Sequence, residues 1–271
     1  MALDYETPFA GFLTSLADAA RETALHYFRR KDLVIDDKDD NTPVTAADRE
    51  IEEKLRALIR KKYPAHGIIG EEFGVENENA EFVWAIDPID GTKQFATGRP
   101  TFGTIIGLAH SGKPVMGVID QAYTKERWLG VADKYCLFNG ATVKVAAPRP
   151  LSAARLYTTT PDMFDGPHEK NFETLRKSVK WTQYSGDCYA YGLIALGWVD
   201  LVVERQLKVC DVIGLVPIIK GAGGFTSGWD GKDITLKSGD TMVAASSKAL
   251  AQAALAIMRR TADKKSYAAL K

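Results

Sequence analysis

The stretch Trp84-Ala85-Ile86-Asp87-Pro88-Ile89-Asp90-Gly91-Thr92 constrains the chain more than any other. An apolar run, Phe82 to Ile86, reads as a buried strand. It delivers two carboxylates three residues apart, with a proline between them and a glycine and a hydroxyl directly after. Two acids at the mouth of a strand, beside a Gly-Thr turn, can hold hard divalent cations and a phosphate together. Asp-Pro and Asp-Gly are also ordinary turn formers, so the same residues read as a solvated loop. The choice depends on whether other acids converge on them.

Composition narrows the classes. With 271 residues, 45% of them apolar, the chain can bury a large core as one big domain or two smaller ones. Pro148 and Pro150 mark the expected boundary, between an N-terminal α+β domain (1–148) carrying most of the candidate ligands and a C-terminal α/β domain (149–271). The 35 basic and 35 acidic residues balance, and no basic stripe supports nucleic-acid binding. No apolar stretch approaches the roughly 20 residues that span a bilayer. Met1 to Pro8 lacks the basic-then-apolar pattern of a secretory signal, so a cytoplasmic setting is expected. Three scattered cysteines make neither a disulfide framework nor a zinc cluster, and the four histidines show no metal-ligand spacing.

Periodicity supplies the elements. Phe9, Phe12, Leu13, Leu16, Ala20, Leu25 and Phe28 predict a long amphipathic helix. Lys31 to Asn41 predicts a loop or exposed hairpin. Thr45 opens a second helix, with Asp48 at the capping-box position and Ile51, Leu55, Leu58 and Ile59 on its buried face. Gly67 to Gly70 is a short strand followed by Glu71-Glu72. Thr104–Leu108, Val115–Ile119 and Arg127–Val131 form a meander. Strands at Leu156–Thr159 and Val199–Glu204 then alternate with helices at Phe172–Val179, Cys188–Leu196 and Val212–Lys220, as in an α/β unit.

Four acids follow strands. Strand ends on one edge of a sheet gather distant side chains into one crevice, which suits Glu71, Asp87, Asp90 and Asp211. Plainer readings exist: Glu71 alone is a surface acid, Asp211 a helix N-cap, and Asp48, a further candidate, a capping residue. Together they offer the oxygen ligands that magnesium prefers. Two such ions about 3.5–4 Å apart clamp the attacking water and the leaving oxygen of an in-line displacement. Asp87 is placed to bridge, Asp90 to face the second ion, and Ile89 to offer its carbonyl. Thr92 adds a hydroxyl, and the Gly91 and Thr92 amides suit a phosphate oxygen.

Four separated motifs carry a resemblance. They are Thr42-Pro43-Val44-Thr45-Ala46-Ala47-Asp48, Gly70-Glu71-Glu72, the Trp84–Thr92 stretch, and Asp211 with Gly221-Ala222-Gly223-Gly224. In this order they resemble the inositol monophosphatase superfamily, from about Ala10 to beyond Gly224. The resemblance implies a layered αβαβα sandwich of the inositol monophosphatase/fructose-1,6-bisphosphatase type. It also implies magnesium-dependent, lithium-sensitive hydrolysis of a small phosphomonoester, with two to three Mg2+ ions per site, and a homodimer. Carried over, Glu71, Asp87 and the Ile89 carbonyl would hold one ion, and Asp87, Asp90 and Asp211 the second. A weaker third ion would sit near Glu71. Thr92, hydrogen-bonded to Asp48, would activate water for direct attack on phosphorus. Many members have Trp before the acid equated with Asp211; here it is Cys210, a change expected to alter packing rather than chemistry.

The substrate is sought in the residues after Thr92. The stretch Thr92–Thr104, Val118-Ile119-Asp120-Gln121 and Glu126-Arg127-Trp128 resemble the histidinol-phosphate phosphatase branch. Inositol enzymes and enzymes of 3′-phosphoadenosine 5′-phosphate are the alternatives; a metal-binding module without catalysis is the rival of another class. Gly186-Asp187-Cys188 aligns with a neutral segment that faces sugar hydroxyls in inositol enzymes. Asp187 therefore either meets a substrate ammonium or caps the helix at Cys188. Glu204 is a second candidate for the amine or imidazole. Tyr189 and Tyr191 either line the pocket or pack, and Lys38 either neutralises phosphate or belongs to a solvated loop.

Overall fold

The structure is a computed structural model that describes residues 6–37 and 43–260. Lys38 and Thr42 lie outside the described residues. Helix α1 (Glu6–Tyr27) leads to an antiparallel pair, β1 (Ile35–Asp37) and β2 (Pro43–Thr45), which matches the hairpin reading, and then to α2 (Ala46–Lys62). A large sheet follows, from β3 (Gly67–Gly70), β4 (Gly74–Glu76), β5 (Phe82–Asp90), β6 (Gly103–His110), β7 (Lys113–Gln121), β8 (Glu126–Val131), β9 (Tyr135–Phe138) and β10 (Ala141–Val143). The short helix α3 (Thr92–Ala96) sits between β5 and β6. Strand order is β10-β9-β8-β7-β6-β5-β3-β4, antiparallel throughout except where β3 meets β5.

The second sheet is built from β11 (Arg155–Thr158), α4 (Pro167–Ser178), β12 (Trp181–Tyr184), α5 (Asp187–Ala195), β13 (Leu201–Glu204), α6 (Val209–Ile213), α7 (Leu215–Gly221), β14 (Phe225–Ser227), β15 (Met242–Ala245) and α8 (Lys248–Met258). Its order is β12-β11-β13-β15-β14, parallel over the first three strands and antiparallel at β15 and β14.

Helices α1 and α2 cover one face of the large sheet; α5, α6 and α7 lie between the sheets; α4 and α8 close the far side. This is the expected αβαβα layering. Apolar clusters fill it layer by layer. Leu13, Leu16, Ile51 and Leu55 pack against Trp84 and Ile106; Ile194 and Ile218 lie in the cluster between the sheets; Phe172 and Leu250 sit beneath the outer helices. The capping box at α2 forms as expected, with Thr45 Oγ1 accepting from Ala47 N and Asp48 Oδ2 accepting from Thr45 N at 2.9 Å.

Three local expectations change. The Asp87–Asp90 stretch is not a loop but the last part of β5, buried through Ile89. Pro88 brings no N–H, and the register with β6 shifts between Asp87 and Asp90, as a bulge requires. The single helix expected over Val212–Lys220 is two helices meeting at Gly214, because Pro217 cannot donate to the Ile213 carbonyl. Strands β4, β9, β10, β12, β14 and β15 and helices α3 and α8 add to the expected set; most are too short to show a period.

A row of glycines seats the α6–α7 junction. Gly107, Gly117 and Gly130 are cross-strand partners on β6, β7 and β8. A Cβ on Gly117 would stand 2.0 Å from the Gly214 carbonyl oxygen, and one on Gly130 would stand 2.4 Å from Ile218 Cα. Without side chains there, the helix backbone rests directly on the sheet, which brings Asp211 level with the end of β5.

Candidate active site

The two sheets meet over a crevice of about 860 Å³. Glu71 from the turn after β3, Asp87, Ile89 and Asp90 from β5, Gly91 and Thr92 from the start of α3, and Asp211 from α6 all line it. So do Asp187, Tyr191 and Glu204 from the second sheet's side. Residues more than a hundred positions apart thus share one cavity, as the strand-end argument requires.

The carboxylates crowd one another. Burial, then repulsion from Glu71, Asp90 and Asp211, holds the Asp87 carboxyl well above the usual carboxylate range. Asp90 is raised in the same way, by burial and then by Asp187 and Asp211. Asp211 is pushed up to about 6, again mainly by burial. Asp87 Oδ1 is buried with no hydrogen-bond partner. Lys208 Nζ stands 3.1 Å from Glu71 Oε1 and brings positive charge to the edge of the group. Among the described residues no group of three His, Cys, Asp or Glu side chains already has the geometry of a metal-ligand set. The acids repel one another but are not closed around a point.

Their backbone settings explain the placement. Asp211 is not an N-cap: it lies inside the first turn of α6, where Oδ2 accepts from Lys208 N at 2.8 Å. Its other oxygen accepts from Cys210 Sγ at 3.3 Å. Burial raises the Cys210 thiol, so it stays protonated and donates. Cys210, expected to affect packing alone, therefore touches the acid directly. Asp90 Oδ2 accepts from Cys188 N, which joins β5 to the first turn of α5. Gly91 takes the left-handed conformation at φ +83°, which turns the chain from β5 into α3.

Asp48 and Thr92 differ from expectation. Thr92 Oγ1 donates to the Ile89 carbonyl at 3.1 Å, so the expected Thr92–Asp48 hydrogen bond is not formed and that carbonyl is already engaged. Asp48 Oδ2 accepts from Thr45 Oγ1 at 2.6 Å as well as from Thr45 N, while its Oδ1 is buried without a partner. Burial pushes its carboxyl up to about 7.

On the substrate side, Asp187 does not cap its helix. Gly186 is the N-cap of α5 and no side chain bonds there. Asp187 holds a positive φ of 43°, is buried, and its Oδ2 has no hydrogen-bond partner. Burial pushes it up to about 6, against the lowering effect of a hydrogen bond from Gln94 and the charges of Arg99 and Lys93. Arg99 Nη1 in turn donates to Gln94 Oε1 at 3.1 Å. Gln94 and Arg99 belong to the Thr92–Thr104 stretch that carries the branch resemblance, but no individual role for either is legible in the sequence.

Glu204 is less available than expected. Oε1 accepts from Thr159 N at 2.7 Å and Thr159 Oγ1 at 2.8 Å, and Oε2 accepts from Tyr191 OH at 2.8 Å. Burial pushes it up to about 7. Tyr191 lines the crevice, whereas the Tyr189 ring packs edge-on to Trp128 and its hydroxyl bonds Glu126. Asp120, Glu126 and Arg127 do not line the crevice. Asp120 is an internal anchor, bonded by Arg21 and Arg127. That part of the branch resemblance therefore lies away from the crevice wall.

Known proteins match this arrangement. A family model described as the inositol monophosphatase family covers residues 6–262. The chain is 45% identical over 240 residues to the bifunctional phosphatase IMPL2, chloroplastic, of Arabidopsis thaliana, spanning 88% of this chain and 69% of that protein. It is 33% identical to a histidinol-phosphatase of Chlorobaculum parvum, spanning 88% of this chain and 92% of that one. An inositol monophosphatase from Zymomonas mobilis superposes with a TM-score of 0.86 at 39% identity, over 95% of this chain and all of that one. With the layered fold and the acidic crevice in place, these matches show that the chain belongs to the inositol monophosphatase family.

Proposed function

We propose that this protein is a magnesium-dependent phosphatase whose preferred substrate is histidinol phosphate, a phosphomonoester carrying an ammonium group. The observation that carries the substrate reading is Asp187. Its carboxylate is buried at the crevice wall, held from one side by Gln94, and left with one oxygen unpartnered. A buried acceptor without a donor is costly unless a ligand supplies one. A cationic amine does so with a charge-assisted hydrogen bond; a neutral inositol hydroxyl does so more weakly. The histidinol-phosphatase relatives support the same reading.

The donor set fits magnesium. Glu71, Asp87, Asp90 and Asp211 offer only hard oxygen atoms, one of them buried and orphaned, and their mutual repulsion favours a divalent cation. Glu71, Asp87 and the Ile89 carbonyl would hold one ion, and Asp87, Asp90 and Asp211 a second, with a third near Glu71. Thr92 would release the Ile89 carbonyl, and the Lys208 ammonium would yield its place beside Glu71. Magnesium held there supplies Lewis acidity toward the phosphate oxygens and makes water a better nucleophile.

The chain's own groups do the rest. The Gly91 and Thr92 amides orient the phosphate, and Asp187 orients the amine. Thr92 and Asp48 take the proton of the attacking water; a carboxyl near 7 is suited to that exchange at neutral pH. Water oxygen bonds phosphorus, the ester P–O bond breaks, and the leaving alkoxide receives the proton that Thr92 and Asp48 took from the water, giving histidinol. Glu204 is assigned to holding Tyr191 and Thr159 in place at the crevice wall rather than to binding the amine.

The test is phosphate release from a panel with and without magnesium: histidinol phosphate, inositol 1-phosphate, fructose 1,6-bisphosphate and 3′-phosphoadenosine 5′-phosphate. The highest kcat/KM is expected for histidinol phosphate. A tenfold preference for the inositol ester overturns the substrate assignment, and no magnesium-dependent release from any ester overturns the catalytic one.

A further inference from the structure

We propose that Glu52 and Arg56, on the buried face of α2, form a clamp that positions Glu71, and so set the affinity of the metal site. This rests on Glu71 being a metal ligand. Glu71 opens the three-residue turn between β3 and β4, and a turn carrying two adjacent half-buried acids has no reason of its own to hold one geometry. Each backbone N–H of this turn has a partner. Glu71 N donates to the Ile86 carbonyl at 3.2 Å, one residue before Asp87. Glu72 N donates to Glu52 Oε2 at 2.7 Å, and Phe73 N to Glu52 Oε1 at 3.1 Å. A single carboxylate thus plugs the turn from behind.

Glu52 is itself fixed. It is fully buried, and Arg56, 2% exposed, donates from Nε to Glu52 Oε1 at 2.8 Å. Arg56 also reaches Glu76 Oε1 at 2.8 Å and the Gly74 carbonyl, both on β4. The two residues therefore tie both ends of the hairpin to α2, whose first turn carries Asp48. Gly70 completes the device. A Cβ there would lie 1.9 Å from Glu52 Oε1 and 2.7 Å from Arg56 Nη2, so glycine immediately before Glu71 is what admits the carboxylate. A charged pair this deeply buried is a poor source of stability, since its desolvation offsets its attraction. Its location under one ligand's turn gives it a use: groups that hold a metal ligand in place change metal affinity by about 10–100-fold when removed.

Glu52 and Arg56 are positioning residues, and metal binding separates that role from a merely structural one. Mn2+ would be titrated into the full-length protein with free ion followed by paramagnetic resonance. Glu52→Gln is expected to weaken binding about 10–100-fold. Half-saturating magnesium for phosphate release should rise by the same factor, while kcat at saturating magnesium stays within about threefold of the wild type. Glu52→Gln combined with Arg56→Met removes both charges and keeps the fold should the single variant misfold; the same loss of affinity is expected. Leu55→Ala, a cavity on the same helix, should lower Tm and leave Mn2+ affinity within about twofold. Glu71→Gln supplies the reference, and adding Glu52→Gln to it should weaken binding no further. Wild-type affinity in Glu52→Gln alongside weakened Glu71→Gln overturns the clamp and spares the metal assignment. Additive losses overturn it too, and wild-type affinity in Glu71→Gln overturns the assignment on which it stands.

Discussion

The amide of Cys188 donates to Asp90 Oδ2, a bond that joins residues 98 positions apart. It ties the first turn of α5 to the end of β5, and it is why Asp187 and the β5 acids share one wall. Asp187 itself falls inside α5, one residue after the N-cap Gly186, so its carboxylate caps no amide and lines the crevice. The Asp90 carboxylate accepts a helix N–H and still offers its second oxygen.

Replacing Asp187 with Asn keeps the shape and removes the charge. A hydrogen bond to a charged group contributes about 1.5–3 kcal/mol, so kcat/KM for histidinol phosphate should fall roughly 10–100-fold. Glycerol phosphate, which has no amine, should change by less than about threefold. Steady-state kinetics on the two esters check this; equal losses on both would assign Asp187 a purely structural role.

Asp90→Asn and Asp211→Asn should each lower magnesium-dependent phosphate release by at least about a hundredfold. In EDTA the same variants should melt at or above the wild-type temperature, because each removes one charge from a group whose members repel one another. The bonds from Cys188 N and Lys208 N survive, since an amide oxygen accepts as a carboxylate does; only the weaker bond from Cys210 Sγ to residue 211 is given up. Activity at the wild-type level in either variant would remove these residues from the metal site.

Glu204 makes stability depend on pH. Its carboxyl rises from the ordinary 4.5 to about 7 on folding, chiefly through burial. The folded state therefore binds the proton more tightly between those values, and the contribution is complete below about pH 4.5 and lost as pH rises through 7. The slope is at most about 1.4 kcal/mol per pH unit. Glu204→Gln should gain stability relative to the wild type as pH goes from 5 to 8. Urea melts at the two pH values measure the difference; a constant offset would mean that Glu204 titrates normally.

Gly91→Ala should cost about 1–2 kcal/mol from the left-handed backbone alone. Its Cβ would lie 3.2 Å from Asp187 Cγ and 3.3 Å from Phe102 Cα, so the substitution also presses on Asp187. The expected result is a Tm lower by several degrees together with a raised KM for histidinol phosphate. An unchanged KM would show that Asp187 can move without consequence.

Much of this was legible in one dimension. The helical period of Phe9 to Phe28, the capping box at Thr45 and Asp48, and the apolar run into Asp87 are local patterns, and local patterns need only neighbouring residues to be read. The four acids could be named because each follows a strand. Their environments could not. Whether Asp211 caps a helix or lies inside one depends on where α6 starts, at Val209, and the glycine row beneath Gly214 seats that helix on the sheet. Whether Asp187 caps α5 depends on where that helix starts, and the fold puts Gly186 at its N-cap. Glu52 reads as one more polar residue on a surface helix; it is buried because α2 lies against β5 and the β3–β4 turn closes over it. Residue types and spacing thus set the chemistry this chain can attempt, through short-range propensity and pattern. Which oxygens are paired, which are orphaned and which are pushed toward neutrality follows from long-range packing, because burial and hydrogen-bond partners come from segments tens of residues away.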